Sequence, residues 1–389
     1  MNVPPPRNKI ASTYIGPRAL FDPSYIPPAL LLREKELTML SNVLFDGIQD
    51  QCPVSILLTG LEGMGKTSLA RKSVTMVKAK LQPISLNCMY VNCKDRSIDE
   101  VLFSLVQAIS GKGPEDNVGQ NYFEFNLSQL WAYLKALMGK MTNTERVWIF
   151  DSIEDLDLSY FLKFVQLGKE VGVSTLGSHD APMKSSATLP YGVDIHMNLE
   201  QMTPLGLYKI TRQRLRLVFP FQIVAEVPQA ICDYVDSFDT PRPGACIRIL
   251  KDVYPILKQE KALPPGALRL ACQRQVPGIN IDDLQLLNDV LDHDVVAQLF
   301  IDNIATYFQS GELFIPENAL REQYQMATES IEAPFDPKEF HHAVVTLIRS
   351  NILRESRVAR ARHRVEYLLV TPPDLLKGAV DVVFAGTPS

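Results

Sequence analysis

At 389 residues the chain is too long for one ordinary core and is expected to form two or three domains. Its 46% hydrophobic and 21% charged residues are those of a globular protein, and 39 Lys+Arg against 44 Asp+Glu exclude a uniformly basic coat for nucleic acid. Any DNA contact must therefore come from local clusters. No apolar run is long enough to cross a bilayer and no basic-then-apolar leader opens the sequence, which predicts a cytoplasmic protein with no membrane partner.

The opening MNVPPPRNKI predicts a flexible arm over residues 1–18. The cysteines, Cys52, Cys88, Cys93, Cys232, Cys246 and Cys272, form no CxxC pair and are expected to be buried free thiols of a reducing compartment.

The stretch ILLTGLEGMGKTSLA, residues 56–70, contains G-x-x-x-x-G-K-[ST] in the context this motif needs, an apolar strand before it (SILLT) and a helical pattern after it. Glycines let the backbone turn tightly so that its N–H groups face phosphate oxygens, and the helix N-terminus adds a favourable dipole. Gly60, Glu62, Gly63, Met64, Gly65 and Ser68 are expected to surround the phosphates of ATP or ADP. Lys66 would reach the β- and γ-phosphates, and Thr67 would bind Mg²⁺. A second strand ends in acid, VWIFDSIEDLD over residues 147–157, and Asp151 is the carboxylate placed to share that Mg²⁺.

Many ATPases of this type follow such an Asp with a glutamate that polarises the attacking water. Here the next residue is Ser152, whose hydroxyl ionises far above neutrality and is no general base unaided. Glu154 is the weaker candidate for that role, since the strand end would aim it differently. Nucleotide binding with slow or absent hydrolysis is the expected result.

Upstream, ALFDPSYIPPALLLREKELTMLSNVL, residues 19–44, resembles the entry segment of archaeal replication initiators of the origin-recognition and cell-division-control family within the AAA+ ATPases. Phe21, Tyr25, Ile26, Pro27, Leu30, Arg33, Glu34 and Leu37 carry the likeness. It extends through MYVNCKDRSIDEVLFSLVQAI (89–109), MTPLGLYKITRQRLRLVF (202–219) and PGACIRILKDVYPIL (243–257). The resemblance implies an α/β P-loop AAA+ domain with a parallel sheet over residues 19–200, a helical lid over 201–278 and a winged-helix DNA-binding domain over 279–389. It also implies that Tyr25, Ile26 and Arg33 help enclose the adenine and that a lid arginine reaches the nucleotide.

Arg248 is the candidate for that arginine, although it stands one place later than in the family, about 100° around a helix. Ser178 or His179 stands where the family senses the attacking water. The position of the arginine offered to a neighbouring subunit is vacant, with Pro182 or Met183 near it and only Lys184 cationic.

In the C-terminal third, FDPKEFHHAVVTLIRS predicts a helix with Asp336 as N-cap, Pro337 in the first turn and Glu339 completing a capping box. Phe340, Ala343, Val344, Leu347 and Ile348 form its buried face, leaving Lys338, His342 and Arg349 outside it. Two strand-like pieces, NILRES and VEYLLV, flank RVARARHR, the order of a winged helix. Arg357, Arg360, Arg362 and Arg364 are then expected on an exposed wing that neutralises DNA phosphates.

The functional expectation is an ATP- or ADP-binding, duplex-DNA-binding replication-initiator-like protein for origin recognition, helicase loading or its regulation, or a diverged paralogue. Bound nucleotide would act as its conformational switch, and a replicative helicase and related initiator subunits would be further partners. The alternative is a STAND-type nucleotide-dependent signalling or transcription-regulating switch whose winged helix packs inward.

Overall fold

The computed structural model describes residues 14–82, 85–110, 125–140, 145–180, 192–260, 263–275 and 294–386. The chain divides into two compact units, residues 26–200 and residues 1–25 with 201–389. The first short helix, α1 (Arg18–Phe21), belongs to the second of these.

In unit 26–200 the chain alternates helix and strand: α2 (Glu34–Gln49), β1 (Ser55–Thr59), α3 (Lys66–Lys80), β2 (Leu86–Asn92), α4 (Ile98–Ser110), α5 (Leu127–Lys140), β3 (Glu145–Asp151), α6 (Leu158–Glu170), β4 (Val173–His179) and β5 (Ile195–Asn198). The strands form one parallel sheet in the order β2-β3-β4-β1-β5. A parallel sheet covered on both faces needs strands apolar on both, and SILLT and VWIF supply them. Ile56, Leu58, Val147 and Ile149 pack with Leu40 and Leu69 on one face. Leu57, Trp148 and Phe150 pack with Phe161 and Phe164 on the other. Phe150 and Phe164 stack with ring centroids 4.5 Å apart.

Gly177 on β4 is part of that second face for lack of a side chain, since a Cβ there would lie 2.5 Å from the Phe161 ring. Gly177→Ala is therefore expected to destabilise the unit by about 2 kcal/mol through overpacking. Thermal unfolding checks this, and an unchanged midpoint would contradict it.

The second unit contains a helical part, α7 (Pro204–Val218), α8 (Glu226–Phe238), α9 (Pro243–Glu260) and α10 (Pro265–Gln275). Thr203 caps α7, its side chain accepting from the Gly206 N–H, with Pro204 in the first turn. Leu207, Leu215, Ile231, Val235, Ile249 and Val253 share the core of this part.

The remaining elements are α11 (Val295–Gln309), β6 (Ile315–Pro316), α12 (Glu317–Glu329), α13 (Pro337–Arg349), β7 (Leu353–Glu355), α14 (Arg357–Arg360), β8 (Glu366–Leu369) and α15 (Pro373–Gly386). The strands form an antiparallel sheet in the order β6-β8-β7. Helix, strand, two helices and a hairpin make this a winged-helix arrangement. Asp336 caps α13 by accepting from the Lys338 N–H, and Phe340, Val344 and Leu347 are buried beneath it.

Two expectations need correction. Residues 14–18 are not part of a loose arm, because the Ile15 and Gly16 N–H groups both donate to the Leu217 carbonyl at 2.8 and 2.9 Å. The Arg214 guanidinium also donates to the Ala19 carbonyl at 2.6 Å. All six cysteines are free thiols, but Cys52 and Cys88 are exposed rather than buried. The boundary expected at 278/279, like the arm residues 1–13, lies outside the described residues. Among the described residues no helix is long and apolar enough to cross a membrane.

Candidate functional site

The loop between β1 and α3 holds Gly60 at φ +139°, Gly63 at +80° and Gly65 at +94°, conformations that side chains oppose. At Gly60 a Cβ would also meet the Leu199 carbonyl at 2.9 Å. Met64 is buried in the sheet core and anchors the loop, Glu62 is exposed and Ser68 half-buried. Gly65 is the N-cap of α3 and brings no side-chain cap. The first-turn N–H groups are thus open to an anion, which the helix dipole favours.

Lys66 is 4% exposed. Its ammonium donates to the Gly60 and Leu61 carbonyls at 2.7 and 2.9 Å and pairs with Asp180 at 2.6 Å. The next residue, Thr67, donates to both Asp151 oxygens at 2.8 and 2.9 Å. Asp151 stands at the end of β3 and also accepts from the Tyr90 hydroxyl at 2.6 Å and from Ser178. Burial first, then hydrogen bonding to Asp151, pushes the Tyr90 hydroxyl well above its ordinary pKa. Its ring lies 4.7 Å from the Arg71 guanidinium.

Ser152, at φ +57°, turns the chain away from β3, and its N–H donates to Ser178 Oγ at 3.1 Å. Glu154 sits in the following 3-10 turn and accepts from the Asp180 N–H at 3.0 Å. Burial, with Asp180 alongside, holds its carboxyl above the usual carboxylate range. A raised pKa suits a general base, but this carboxylate already serves as acceptor for Asp180.

These residues fit a phosphate chain and a divalent ion. Uncapped helix N–H groups, a strained glycine loop and a buried ammonium suit phosphate oxygens. A threonine hydroxyl touching a strand-end carboxylate suits Mg²⁺. The structure brings Lys66, Thr67, Asp151 and Glu154 together. Two neighbours of theirs, Tyr90 and Asp180, escape sequence reasoning. Both lie near the C-terminal ends of parallel strands, where open α/β sheets bind ligands, and that rule is the signal for finding them.

The other nucleotide candidates divide between the two units. Arg33 is buried and its guanidinium is committed to Glu36 at 2.9 Å and the Glu200 carbonyl at 2.7 Å. It clamps the start of α2 to the end of the sheet. Ile26 is half-buried. Tyr25 belongs to the other unit and packs on the helical core, its ring 5.4 Å from the Arg214 guanidinium. Arg248 is half-buried on α9 of that same unit. His179 is half-buried at the end of β4, whereas Pro182, Met183 and Lys184 lie outside the described residues.

On the winged helix, Lys338, His342 and Arg349 are exposed on α13, with His341 beside them. The arginines expected on an exposed wing have partners in the fold. The segment begins as the short helix α14, whose Val358 and Ala359 are buried. Arg357 pairs with Asp236 at 2.9 Å, Arg360 with Glu355 at 3.3 Å and Arg364 with Glu366 at 3.1 Å. The Arg362 guanidinium lies 3.8 Å from the centre of the Tyr208 ring. Arg357, Arg360 and Arg364 keep most of their surface in solvent, but each has an acidic partner, Asp236 on another helix and Glu355 and Glu366 in the two flanking strands.

The same tip is fastened through a buried carboxylate. Asp233 on α8 accepts from Ser356 at 2.5 Å and from the Val358 N–H at 3.1 Å, while Gln229 bridges Ser356 and Glu366. Burial raises its pKa to about 7, against hydrogen bonds that lower it. The folded protein therefore holds a proton that the unfolded chain has released, and stability falls as pH rises from about 4 to about 7. Asp233→Asn is expected to remove about 1–3 kcal/mol of that dependence. Unfolding at pH 5 and pH 8 checks this, and an unchanged pH slope would contradict it.

No family model matches the chain. Over 238 residues it is 26% identical to the ORC1-type DNA replication protein of Desulfurococcus amylolyticus, covering 57% of this chain and 58% of the relative, so the match spans somewhat more than half of that protein. Among solved structures it resembles Cdc6p from Pyrobaculum aerophilum, with TM-score 0.73, 17% identity and coverage of 95% of this chain and 98% of the other. It also resembles the ORC1 protein of Aeropyrum pernix in complex with DNA, with TM-score 0.57, 18% identity and coverage of 95% and 98%. The fold is shared with these two proteins, here an α/β unit with a parallel sheet and a glycine loop, a helical part and a winged-helix arrangement.

Proposed function

We infer that this chain is a member of the archaeal Orc1/Cdc6 initiator family, a reading its likeness to these proteins supports, and that it binds ATP or ADP with Mg²⁺ in its α/β unit and duplex DNA through its winged helix. Its role is origin recognition, helicase loading or the regulation of either by a diverged paralogue. The observation that carries the nucleotide part is the meeting of Lys66, Thr67 and Asp151 at the mouth of an uncapped glycine loop. Bound nucleotide supplies the phosphate charge that these groups are arranged to receive. Lys66 positions the phosphate end, Thr67 and Asp151 hold Mg²⁺, and Ser178 keeps Asp151 aimed at the hydroxyl of Thr67.

Hydrolysis is slow or absent in this reading. Ser152 offers no base, and Glu154 is held by the Asp180 amide. Nucleotide then stabilises a conformation rather than fuelling a cycle.

A second reading, a STAND-type switch, has one observation in its favour: the arginine-rich tip docks on α7 and α8 through Tyr208, Asp233 and Asp236. Filter binding to duplex DNA separates the two. The initiator reading expects binding that falls steeply with salt, and no binding at 50 mM salt would favour the switch.

A further inference from the structure

Lys66 has three N–H donors, and the structure assigns all of them: two to the loop carbonyls of Gly60 and Leu61 and one to the carboxylate of Asp180. Asp180 therefore holds the ammonium direction that a terminal phosphate needs. It is not a mobile surface acid that happens to touch a lysine. Its own N–H is tied to Glu154 at 3.0 Å, and two residues earlier Ser178 is tied to Asp151. The end of β4 thus carries Asp180 to Lys66, held there by Glu154 from the turn after β3, while Ser178 of the same strand end holds Asp151.

A nucleotide lysine of this kind reaches both the β- and the γ-phosphate. A diphosphate asks for one of those donors and can take it from a loop carbonyl, leaving the bond to Asp180 in place. A triphosphate must bring its γ-phosphate to the same ammonium, displacing one carboxylate and approaching another. Resting on the nucleotide-binding reading above, we propose that Asp180 is a specificity-determining residue that stands in for the γ-phosphate on Lys66 and so favours ADP over ATP. Thr67 and Asp151 would hold Mg²⁺ with either nucleotide, which leaves the difference between them to Asp180.

The test compares nucleotide-stripped full-length protein with its Asp180→Asn variant, a near-isosteric change that removes the charge. Titration with Mg-ADP and Mg-ATP is expected to show ATP binding about tenfold tighter in the variant, with ADP binding changed about twofold or less. The ratio of the two constants thus shifts towards ATP, and an unchanged ratio overturns the proposal.

Thermal unfolding supplies a second arm. Loss of the Lys66–Asp180 pair is expected to lower the midpoint of the stripped and ADP-bound variant relative to wild type, and to lower it little in the ATP-bound protein, where the pair is already broken. An equal drop in all three states marks a merely structural residue and also overturns the proposal. Wild-type protein that binds neither nucleotide refutes the nucleotide-binding reading itself. In that case an unchanged midpoint in the stripped variant shows that the pair is absent as well.

Discussion

Replacement of Lys66 by alanine is expected to weaken adenine-nucleotide binding by about 100-fold or more, the largest effect of any single change in the chain. The ammonium is buried at the loop, so it meets a phosphate in a medium that screens charge poorly. Its removal also leaves Asp180 without a cation and the Gly60 and Leu61 carbonyls without their donor. The nucleotide-free variant should therefore lose about 1–3 kcal/mol of stability in the α/β unit. Equilibrium titration with a fluorescent ADP measures the first effect and thermal unfolding the second. Wild-type affinity in this variant would mean that the loop does not hold phosphate. Duplex-DNA binding without nucleotide should be preserved, because the winged helix has its own core.

Joint replacement of Lys338 and Arg349 by alanine is expected to weaken duplex binding by about tenfold or more at low salt. The plot of log affinity against log salt should become shallower by about 2. Both side chains stand exposed on α13, on the side away from Phe340, Val344 and Leu347. The arginines of the hairpin tip are poorer targets. Arg362→Ala removes a cation from the face of Tyr208 and is expected to cost about 1 kcal/mol of stability with little change in salt slope. Filter binding from 50 to 200 mM salt reads both variants. A double variant with the wild-type slope would remove α13 from the DNA interface. A large slope change in Arg362→Ala would return the tip to it.

What could be read from the sequence was what short segments decide alone. The glycine loop needs positive φ at fixed spacings, SILLT and VWIF can only be core strands, and Asp336-Pro337 starts a helix by local chemistry. Relations set by tertiary contact were hidden. The partner of Arg357 is Asp236 on another helix, and Arg362 lies over the ring of Tyr208, so part of a segment that is basic by composition is engaged by the fold. Likewise, Arg33 matches a nucleotide-enclosing pattern, yet its guanidinium is spent on Glu36 and on the Glu200 carbonyl. Asp180 follows a polar strand end in a stretch that gives no sign of its partner. Only the pairing of β4 with β1, which aligns Ser178 with Leu58 and His179 with Thr59, carries it to Lys66. The hydrogen bonds of Ile15 and Gly16 to the Leu217 carbonyl are of the same kind, since nothing in their own stretch marks that partner.

Nucleotide that is held rather than consumed is most directly tested by single-turnover hydrolysis of radiolabelled ATP with protein in excess and Mg²⁺ present. Slow decay of the bound ATP, with the label remaining as triphosphate over many minutes, is the expected result. Conversion at an ordinary enzymatic rate, about 1 per second or faster, and abolished in Lys66→Ala, would contradict it.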